Sequence, residues 1–233
     1  MKILNRTHLN DERYQKFYDY HYPLNRNPIK IRDGDAWPAT CFAFDIFDNI
    51  NNVTPRRAGE EVTVIDQVDF LKAHKQRQPN TVVEIGCGSG EVSYTLWHMG
   101  CEVHSIDCNP SLLSFFKTTA PRFFNESDDR HTVYLGPAEG FLDCIPTTTD
   151  TVLLIESIEH IVPEEWTKIF ATIQPILKQN HGRLIIANTI WPLGGPTDPA
   201  QEHIARIDDD FYDQLLQDGQ ALYREQGNIC IQY

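Results

Sequence analysis

Hydrophobic and polar positions change their spacing along the chain, and this spacing predicts the elements of the fold. Short apolar runs, typical of strands buried in a sheet, occupy residues 81–85, 102–106, 132–135, 151–155 and 183–190. Segments with apolar residues at helical spacing predict helices at 62–74, 91–99, 111–119, 163–180 and 209–217. Two more apolar segments flank Gly227 and Asn228, which form a two-residue hairpin signal. The alternation predicts an α/β fold: a doubly wound, mostly parallel seven-stranded sheet with a C-terminal antiparallel hairpin.

The first part of the chain is rich in aromatic residues but lacks a regular spacing. Prolines interrupt it, so it predicts short helices and loops rather than strands. We expect residues 1–60 to form an N-terminal helical lid or substrate segment, and residues 61–233 to form the main domain. The aromatic rings either anchor this lid or provide walls for a planar ligand. The loop at 191–198 is a candidate second wall.

Charge and composition narrow the class of partner. The 233 residues carry a formal net charge of −13, with 20 Lys and Arg against 33 Asp and Glu. Proteins that hold a nucleic-acid backbone normally present a basic face, so a long nucleic acid is disfavoured and a small molecule is expected. The six cysteines form no CxxC pair, which favours buried free thiols. Neither a membrane span nor a secretory signal is visible, so we expect a cytoplasmic protein.

A glycine-rich loop follows the first buried run, at the edge where an open parallel sheet binds its ligands. It contains Gly86, Gly88 and Gly90, and Asp107 ends the next run. A carboxylate there can accept hydrogen bonds from both hydroxyls of a ribose. The dinucleotide fingerprint requires a third glycine where this chain has Glu91, and an acid beside the helix N-terminus would repel a pyrophosphate. The loop therefore suits a nucleoside that carries positive charge rather than phosphates.

The segments EIGCGSG and SIDCNP together resemble the S-adenosylmethionine site of the class I methyltransferases. The resemblance covers about residues 62–233 and includes the order of the elements. It implies that the glycine loop contacts the methionine part of the cofactor and that the acid ending the second strand binds the ribose. The residues that it assigns to the cofactor are Glu84, Gly86, Cys87, Gly88, Gly90, Asp107, Cys108, Ala138, Glu139 and Glu156.

The segment after the third strand departs from this family's pattern. Related enzymes often carry an acid where this chain has Pro137, and that acid or the next backbone amide contacts the adenine. Proline offers neither a carboxylate nor an N–H donor. We therefore expect adenine recognition to depend on the backbone of Ala138, on Glu139 or on packing by Cys108.

The segment IESIEHI places Glu156, Glu159 and His160 at the end of the fourth strand, where class I methyltransferases hold the transferred methyl group. Methyl transfer to a hydroxyl needs an aligned nucleophile and a base for its proton. Histidine is suited to that role near neutral pH. We therefore regard these three residues as the candidate catalytic residues.

The same string resembles two metal-associated branches of the family, the ubiquinone-biosynthesis O-methyltransferases and the small-RNA terminal 2′-O-methyltransferases. By that resemblance Glu156, Glu159, His160 and the downstream His203 are candidate ligands of Mg²⁺ or Mn²⁺. A metal could lower the pKa of an acceptor hydroxyl. Three interpretations stay open: a metal site, a metal-free base or substrate contact, and a structural role.

The sequence thus predicts an S-adenosylmethionine-dependent methyltransferase that acts on a small-molecule acceptor, most plausibly at a hydroxyl oxygen. Terminal 2′-O-methylation of RNA is the alternative reaction. A non-catalytic binding protein with the cofactor fold is the alternative class, although such a protein has no need of the glycine loop and Asp107.

Overall fold

An open sheet of eight strands organises the chain. The computed structural model describes residues 1–10, 12–14, 80–88, 90–98, 100–110, 112–118, 128–155, 157–187, 207, 209–225 and 228–233. The strands are β1 (Lys2–Asn5), β2 (Thr81–Ile85), β3 (Glu102–Asp107), β4 (His131–Leu135), β5 (Thr151–Ile155), β6 (Arg183–Ala187), β7 (Gln220–Glu225) and β8 (Asn228–Gln232). The α-helices are α1 (Glu91–His98), α2 (Leu112–Thr118), α3 (Pro163–Gln179) and α4 (Asp209–Leu215). Short 3-10 helices lie at Thr7–Leu9, Ala138–Cys144, Ile158–His160 and Leu216–Asp218.

The strand order is β1-β4-β3-β2-β5-β6-β8-β7. All neighbouring strands from β1 to β6 pair in parallel, and β8 pairs antiparallel with both β6 and β7. The predicted mostly parallel sheet with a C-terminal antiparallel hairpin is therefore confirmed. The strand order reverses between β2 and β5, so the carboxyl ends of these strands mark the place where such sheets bind ligands.

Both faces of the central strands are buried, which explains their continuous apolar runs. Along β2, Val82 packs in one hydrophobic cluster and Val83 in the other, because successive side chains point to opposite faces. The first cluster packs α1 and α2 on the sheet, and the second packs α3 and α4 on the opposite face. This double cover fixes the carboxyl ends of the strands.

The sheet has an additional edge strand, so it contains eight strands rather than the expected seven. Residues Lys2–Asn5 pair in parallel with β4, and the Arg6 N–H continues the ladder with a 2.6 Å hydrogen bond to the Leu135 carbonyl oxygen. The N-terminal ammonium of Met1 donates to the carbonyl oxygen of Asp128 at 2.8 Å. The beginning of the predicted lid is thus part of the sheet.

Most of the predicted lid lies outside the described residues. The same is true of the predicted helix 62–74, of the boundary between residues 60 and 61, and of the loop 191–198. The division of the chain at residue 60 therefore stays a prediction. Residues 12–14 are described, and Tyr14 is buried with an exposed fraction of 2%.

Helix α3 shows how local sequence sets the ends of an element. Pro163 occupies the first turn, where its missing N–H costs no helical bond, and two acids follow it. The helix continues through Pro175, in agreement with the single helix predicted at 163–180. Its buried face carries Ile169, Phe170, Ile173 and Leu177.

Two composition-based predictions can be compared with the described residues. Cys87, Cys101, Cys108, Cys144 and Cys230 carry free thiols, and Cys87, Cys101 and Cys230 are buried. Cys41 lies outside the described residues. In the part of the chain that the structure describes, no helix has the length and apolar character needed to cross a membrane.

Gly182→Ala is expected to lower the free energy of unfolding by about 1–3 kcal/mol, because the added methyl group overpacks a closed turn. A Cβ at Gly182 would lie 2.6 Å from the Asp150 carbonyl oxygen and 2.7 Å from Leu177 Cδ2. Urea denaturation followed by circular dichroism measures the change. Gln179→Ala, an exposed substitution in the same turn region, is the control and should leave the unfolding free energy nearly unchanged. Equal stability of the two variants would contradict the close contact.

Candidate functional site

The glycine loop between β2 and α1 is shaped by left-handed backbone. Gly86, Gly88 and Gly90 have φ angles of 81°, 53° and 83°, a region that L-residues rarely adopt. A Cβ at Gly86 would overlap the Ser157 side chain, whereas a Cβ at Gly88 would meet no atom within 4 Å. The loop is therefore packed against the end of β5 at Gly86 and open at Gly88, where a ligand can approach the backbone.

Asp107 joins this loop to the end of β3. Its Oδ2 accepts a 2.8 Å hydrogen bond from the Gly88 N–H, and its Oδ1 accepts a 2.8 Å hydrogen bond from the Asn109 N–H. Burial raises the pKa of the Asp107 carboxyl, and the two backbone donors lower it in part. The carboxylate keeps lone pairs for further donors, such as the two hydroxyls of a ribose.

Glu84 occupies a different place from the other predicted cofactor residues. It is 3% exposed on the face of β2 that α1 covers, and it accepts a hydrogen bond from the Ser93 hydroxyl. Ser93 Oγ lies 2.5 Å from Ser105 Oγ, which lies 2.8 Å from His131 Nε2. Burial lowers the pKa of His131 to about 3, so this imidazole is neutral at physiological pH. Glu84 thus ties α1 to the sheet beneath the loop, and a direct cofactor contact stays a prediction.

The segment after β4 lies beside Asp107 and forms a wall of the candidate site. Gly136 and Pro137 lead into the 3-10 helix Ala138–Cys144, with Ala138 buried and Glu139 half-buried. The Glu139 carboxylate pairs with Lys168 Nζ of α3 at 2.6 Å, and this hydrogen bond raises the pKa of Lys168. The predicted contacts of Ala138 and Glu139 with adenine remain predictions, and the Glu139 carboxylate already has a cation partner.

The N-terminal strand holds this wall in position. Arg6 donates a hydrogen bond to the Gly140 carbonyl oxygen, and its guanidinium lies 5.0 Å from the centroid of the Phe141 ring. Arg6 Nη1 also lies 3.4 Å from Asp143 Oδ1. A Cβ at Gly136 would lie 2.8 Å from the Arg6 carbonyl carbon and oxygen, so only glycine permits this close approach.

Two further residues of the N-terminal segment reach the same edge of the sheet. Asn10 Nδ2 donates a 2.7 Å hydrogen bond to the Cys108 carbonyl oxygen. Tyr14 donates from its hydroxyl to Glu165 Oε1 at 2.9 Å and accepts a 3.1 Å hydrogen bond from the Val162 N–H. Arg6 and Asn10 were missed at the level of sequence, because no motif or periodicity marks them. Tyr14 is one of the aromatic residues noted in the first part of the chain.

The IESIEHI segment follows β5 and faces the glycine loop. Ser157 donates a 2.8 Å hydrogen bond to the Ile85 carbonyl oxygen, which fixes the turn to the end of β2. Glu159 is 6% exposed, and its Oε1 lies 3.7 Å from Nε2 of the partly exposed His160. The structure therefore brings a carboxylate and an imidazole together at the predicted methyl-transfer edge.

The predicted metal ligands are only partly described. Glu156 and His203 lie outside the described residues, whereas Glu159 and His160 lie within them. Among the described residues, no group of three or more His, Cys, Asp and Glu side chains could hold a metal ion. The pair formed by Glu159 and His160 supplies two of the four predicted ligands.

Comparison with known proteins agrees with this geometry. A protein-family model described as a methyltransferase domain matches residues 82–180, the stretch that contains the glycine loop, Asp107 and the Glu159–His160 pair. No curated protein matches the chain.

Solved structures share the fold over most of the chain. A protein from Staphylococcus aureus assigned as a caffeoyl-CoA O-methyltransferase is 16% identical, with a TM-score of 0.53 over 96% of this chain and 100% of its own. A methyltransferase from Podospora anserina bound to S-adenosylhomocysteine is 16% identical, with a TM-score of 0.54 over 95% of this chain and 94% of its own. The protein PH0226 from Pyrococcus horikoshii is 17% identical, with a TM-score of 0.53 over 72% and 89%. These likenesses, all under 25% identity, show the fold, and the family model shows that residues 82–180 are similar to a methyltransferase domain.

Proposed function

We propose that the enzyme transfers the methyl group of S-adenosylmethionine to a hydroxyl oxygen of a small molecule. The observation that carries the proposal is the meeting of three groups at one edge of the sheet: the open glycine loop, the Asp107 carboxylate, and the imidazole of His160 beside Glu159. The first two suit the cofactor, and the third suits removal of a proton from the acceptor.

In this proposal the cofactor lies along the carboxyl ends of the parallel strands. The methionine part lies along the loop of Gly86, Gly88 and Gly90, whose backbone is open at Gly88. The ribose hydroxyls donate to the oxygens of Asp107. Because these hydrogen bonds are made to a buried charged acceptor, they are stronger than neutral ones and fix the position of the nucleoside.

The chemical step is an in-line displacement at the methyl carbon. A lone pair of the acceptor oxygen forms the new C–O bond while the C–S bond breaks, and its electron pair stays on sulfur to give S-adenosylhomocysteine. The hydroxyl proton passes to the imidazole of His160. Glu159, with Oε1 3.7 Å from His160 Nε2, stabilises the imidazolium that results. Glu156, which precedes this pair in sequence, stays a predicted contact of cofactor or acceptor.

The acidic character of the chain supports a small acceptor. With a net charge of −13, the protein repels a polyanion unless a local basic face offsets that charge. We therefore assign the acceptor to small hydroxyl compounds rather than to RNA.

Asp107→Asn is expected to weaken S-adenosylhomocysteine binding by about 10- to 100-fold at neutral pH, because charge-assisted hydrogen bonds to the ribose are lost. Wild-type affinity should fall with decreasing pH, since only the ionised carboxylate accepts from both hydroxyls. The fall should begin above the ordinary carboxyl pKa of 3.8, because burial raises the pKa of Asp107. Isothermal titration calorimetry across a pH series measures both effects.

The matched control is Asp129→Asn, an exposed position just before β4, at the opposite edge of the sheet. It should retain the affinity and the pH dependence of the wild type, whereas Asp107→Asn should lose most of that dependence. An Asp107→Asn variant that binds as tightly as the wild type would refute the ribose assignment.

His160→Asn is expected to lower turnover by about 100-fold or more while S-adenosylhomocysteine affinity stays within about twofold, because the base acts on the acceptor rather than on the cofactor. Transfer of label from tritiated S-adenosylmethionine to a library of small phenols and alcohols provides the assay. His181→Asn is the control, an exposed histidine at φ 49° where asparagine is tolerated. Unchanged turnover in His160→Asn would remove this residue from the mechanism.

The role of a divalent metal is tested separately. Mg²⁺ or Mn²⁺ held by Glu156, Glu159, His160 and His203 would lower the pKa of the acceptor hydroxyl, but the described pair alone does not make a metal site. Because the proposed base is the His160 imidazole itself, we expect label transfer to persist after dialysis against EDTA. Loss of label transfer on chelation, with recovery on adding Mn²⁺, would instead support a metal site formed by the four predicted ligands. His160 would then be a metal ligand rather than the base.

A further inference from the structure

In the Asn10 side chain, the amide nitrogen has a hydrogen-bond partner among the described residues and the amide oxygen has none. Its Nδ2 donates to the Cys108 carbonyl oxygen at 2.7 Å. Its Oδ1 is buried and accepts no hydrogen bond from the described residues. Buried polar atoms in native proteins nearly always have a partner, because an unsatisfied acceptor costs free energy. A bound ligand that presents a donor at this position would satisfy Oδ1.

The orientation of this amide is set by its neighbour. A carbonyl oxygen can only accept, so the amide nitrogen must face Cys108 and the amide oxygen must face away from it. The Cys108 carbonyl thus determines which of the two amide atoms is the free-facing acceptor, namely Oδ1. A ligand that meets it must present an N–H or O–H group.

Asn10 lies between two segments that border the nucleoside end of the cofactor site. Cys108 directly follows Asp107, the proposed ribose ligand. On the other side, the 3-10 helix Thr7–Leu9 leads to Asn10, and Leu9 Cδ1 lies 3.4 Å from the position of a Cβ on Gly140. The residues around Asn10 therefore contact both the segment after β4 and the loop after β3. These are the two segments that would border a base attached to the ribose.

The wall after β4 offers little to the polar edge of an adenine. Pro137 has neither a polar side chain nor an N–H group. Glu139 is paired with Lys168 at 2.6 Å. An acceptor for the exocyclic amino group of the base is therefore better supplied from another segment.

We propose that Oδ1 of Asn10 accepts a hydrogen bond from the exocyclic amino group of the adenine and so selects adenine over a base with a carbonyl group at that position. This inference rests on the cofactor assignment made above. Asn10 is a binding and specificity residue, and its bond to Cys108 is what orients the acceptor. The edge strand β1 acquires a function by this assignment, because its pairing with β4 delivers Asn10 to the site.

The test compares S-adenosylhomocysteine with S-inosylhomocysteine, in which a carbonyl oxygen replaces the amino group. Isothermal titration calorimetry should give the wild type a preference of about tenfold for the adenine compound, the value of one well-formed hydrogen bond. In Asn10→Ala that preference should shrink to about twofold or less. Loss of the anchor to Cys108 weakens both ligands alike and cancels in the ratio.

Asn5→Ala is the matched control, since Asn5 lies in the same segment but its Oδ1 already accepts from the Thr7 N–H and hydroxyl at 3.0 and 2.9 Å. It should keep the wild-type preference. Equal loss of affinity for both ligands in Asn10→Ala, or no loss, would overturn the proposal. So would a wild type that binds both compounds equally, a result that needs no variant to fold. A wild type that binds neither compound would instead overturn the cofactor assignment itself.

Discussion

The Asp107 carboxylate connects segments that would otherwise be independent. It accepts one hydrogen bond from the Gly88 N–H of the glycine loop and another from the N–H of Asn109, just past the end of β3. The open conformation of the loop therefore depends on a charge that is also the proposed ligand of the ribose. Burial makes that charge costly, as the raised pKa indicates, and additional donors from a nucleoside reduce the cost. The same interaction thus shapes the loop and favours its ligand.

The glycine loop, which is the proposed cofactor site, is in direct contact with the turn that carries the proposed catalytic pair. Gly86 lies against Ser157, and the Ser157 hydroxyl donates to the Ile85 carbonyl oxygen at 2.8 Å. A substitution at Gly86 would therefore displace the turn that carries Glu159 and His160. This contact gives a physical reason for the close spacing of binding and chemistry: both depend on the adjacent carboxyl ends of β2 and β5.

The central sheet, the glycine loop and Asp107 could be predicted from sequence, because strands buried on both faces leave continuous apolar runs and parallel strands share one carboxyl edge. The orientation of Glu84 was also encoded. It alternates with Val83 and so shares the α1 face with Val82, whereas its assignment to the cofactor came from the family resemblance and stays a prediction. Strand β1 left no comparable signal, because it is an edge strand of four residues whose partner, β4, lies far along the chain. The pairing of Glu139 with Lys168 is likewise a tertiary contact that no local pattern contains.

The described residues of the N-terminal segment contact both the proposed nucleoside side and the proposed acceptor side of the site. Asn10 is bonded to Cys108 beside Asp107, and Tyr14 is bonded to Val162 and Glu165 just beyond the Glu159–His160 pair. Burial raises the pKa of the Tyr14 hydroxyl, so it stays protonated and donates to the buried Glu165 carboxylate. Removing that donor would leave a buried charge with fewer partners, which makes the contact costly to break. Because Asn10 and Tyr14 are four residues apart, one short stretch of chain holds both the proposed adenine contact and the segment beyond the Glu159–His160 pair.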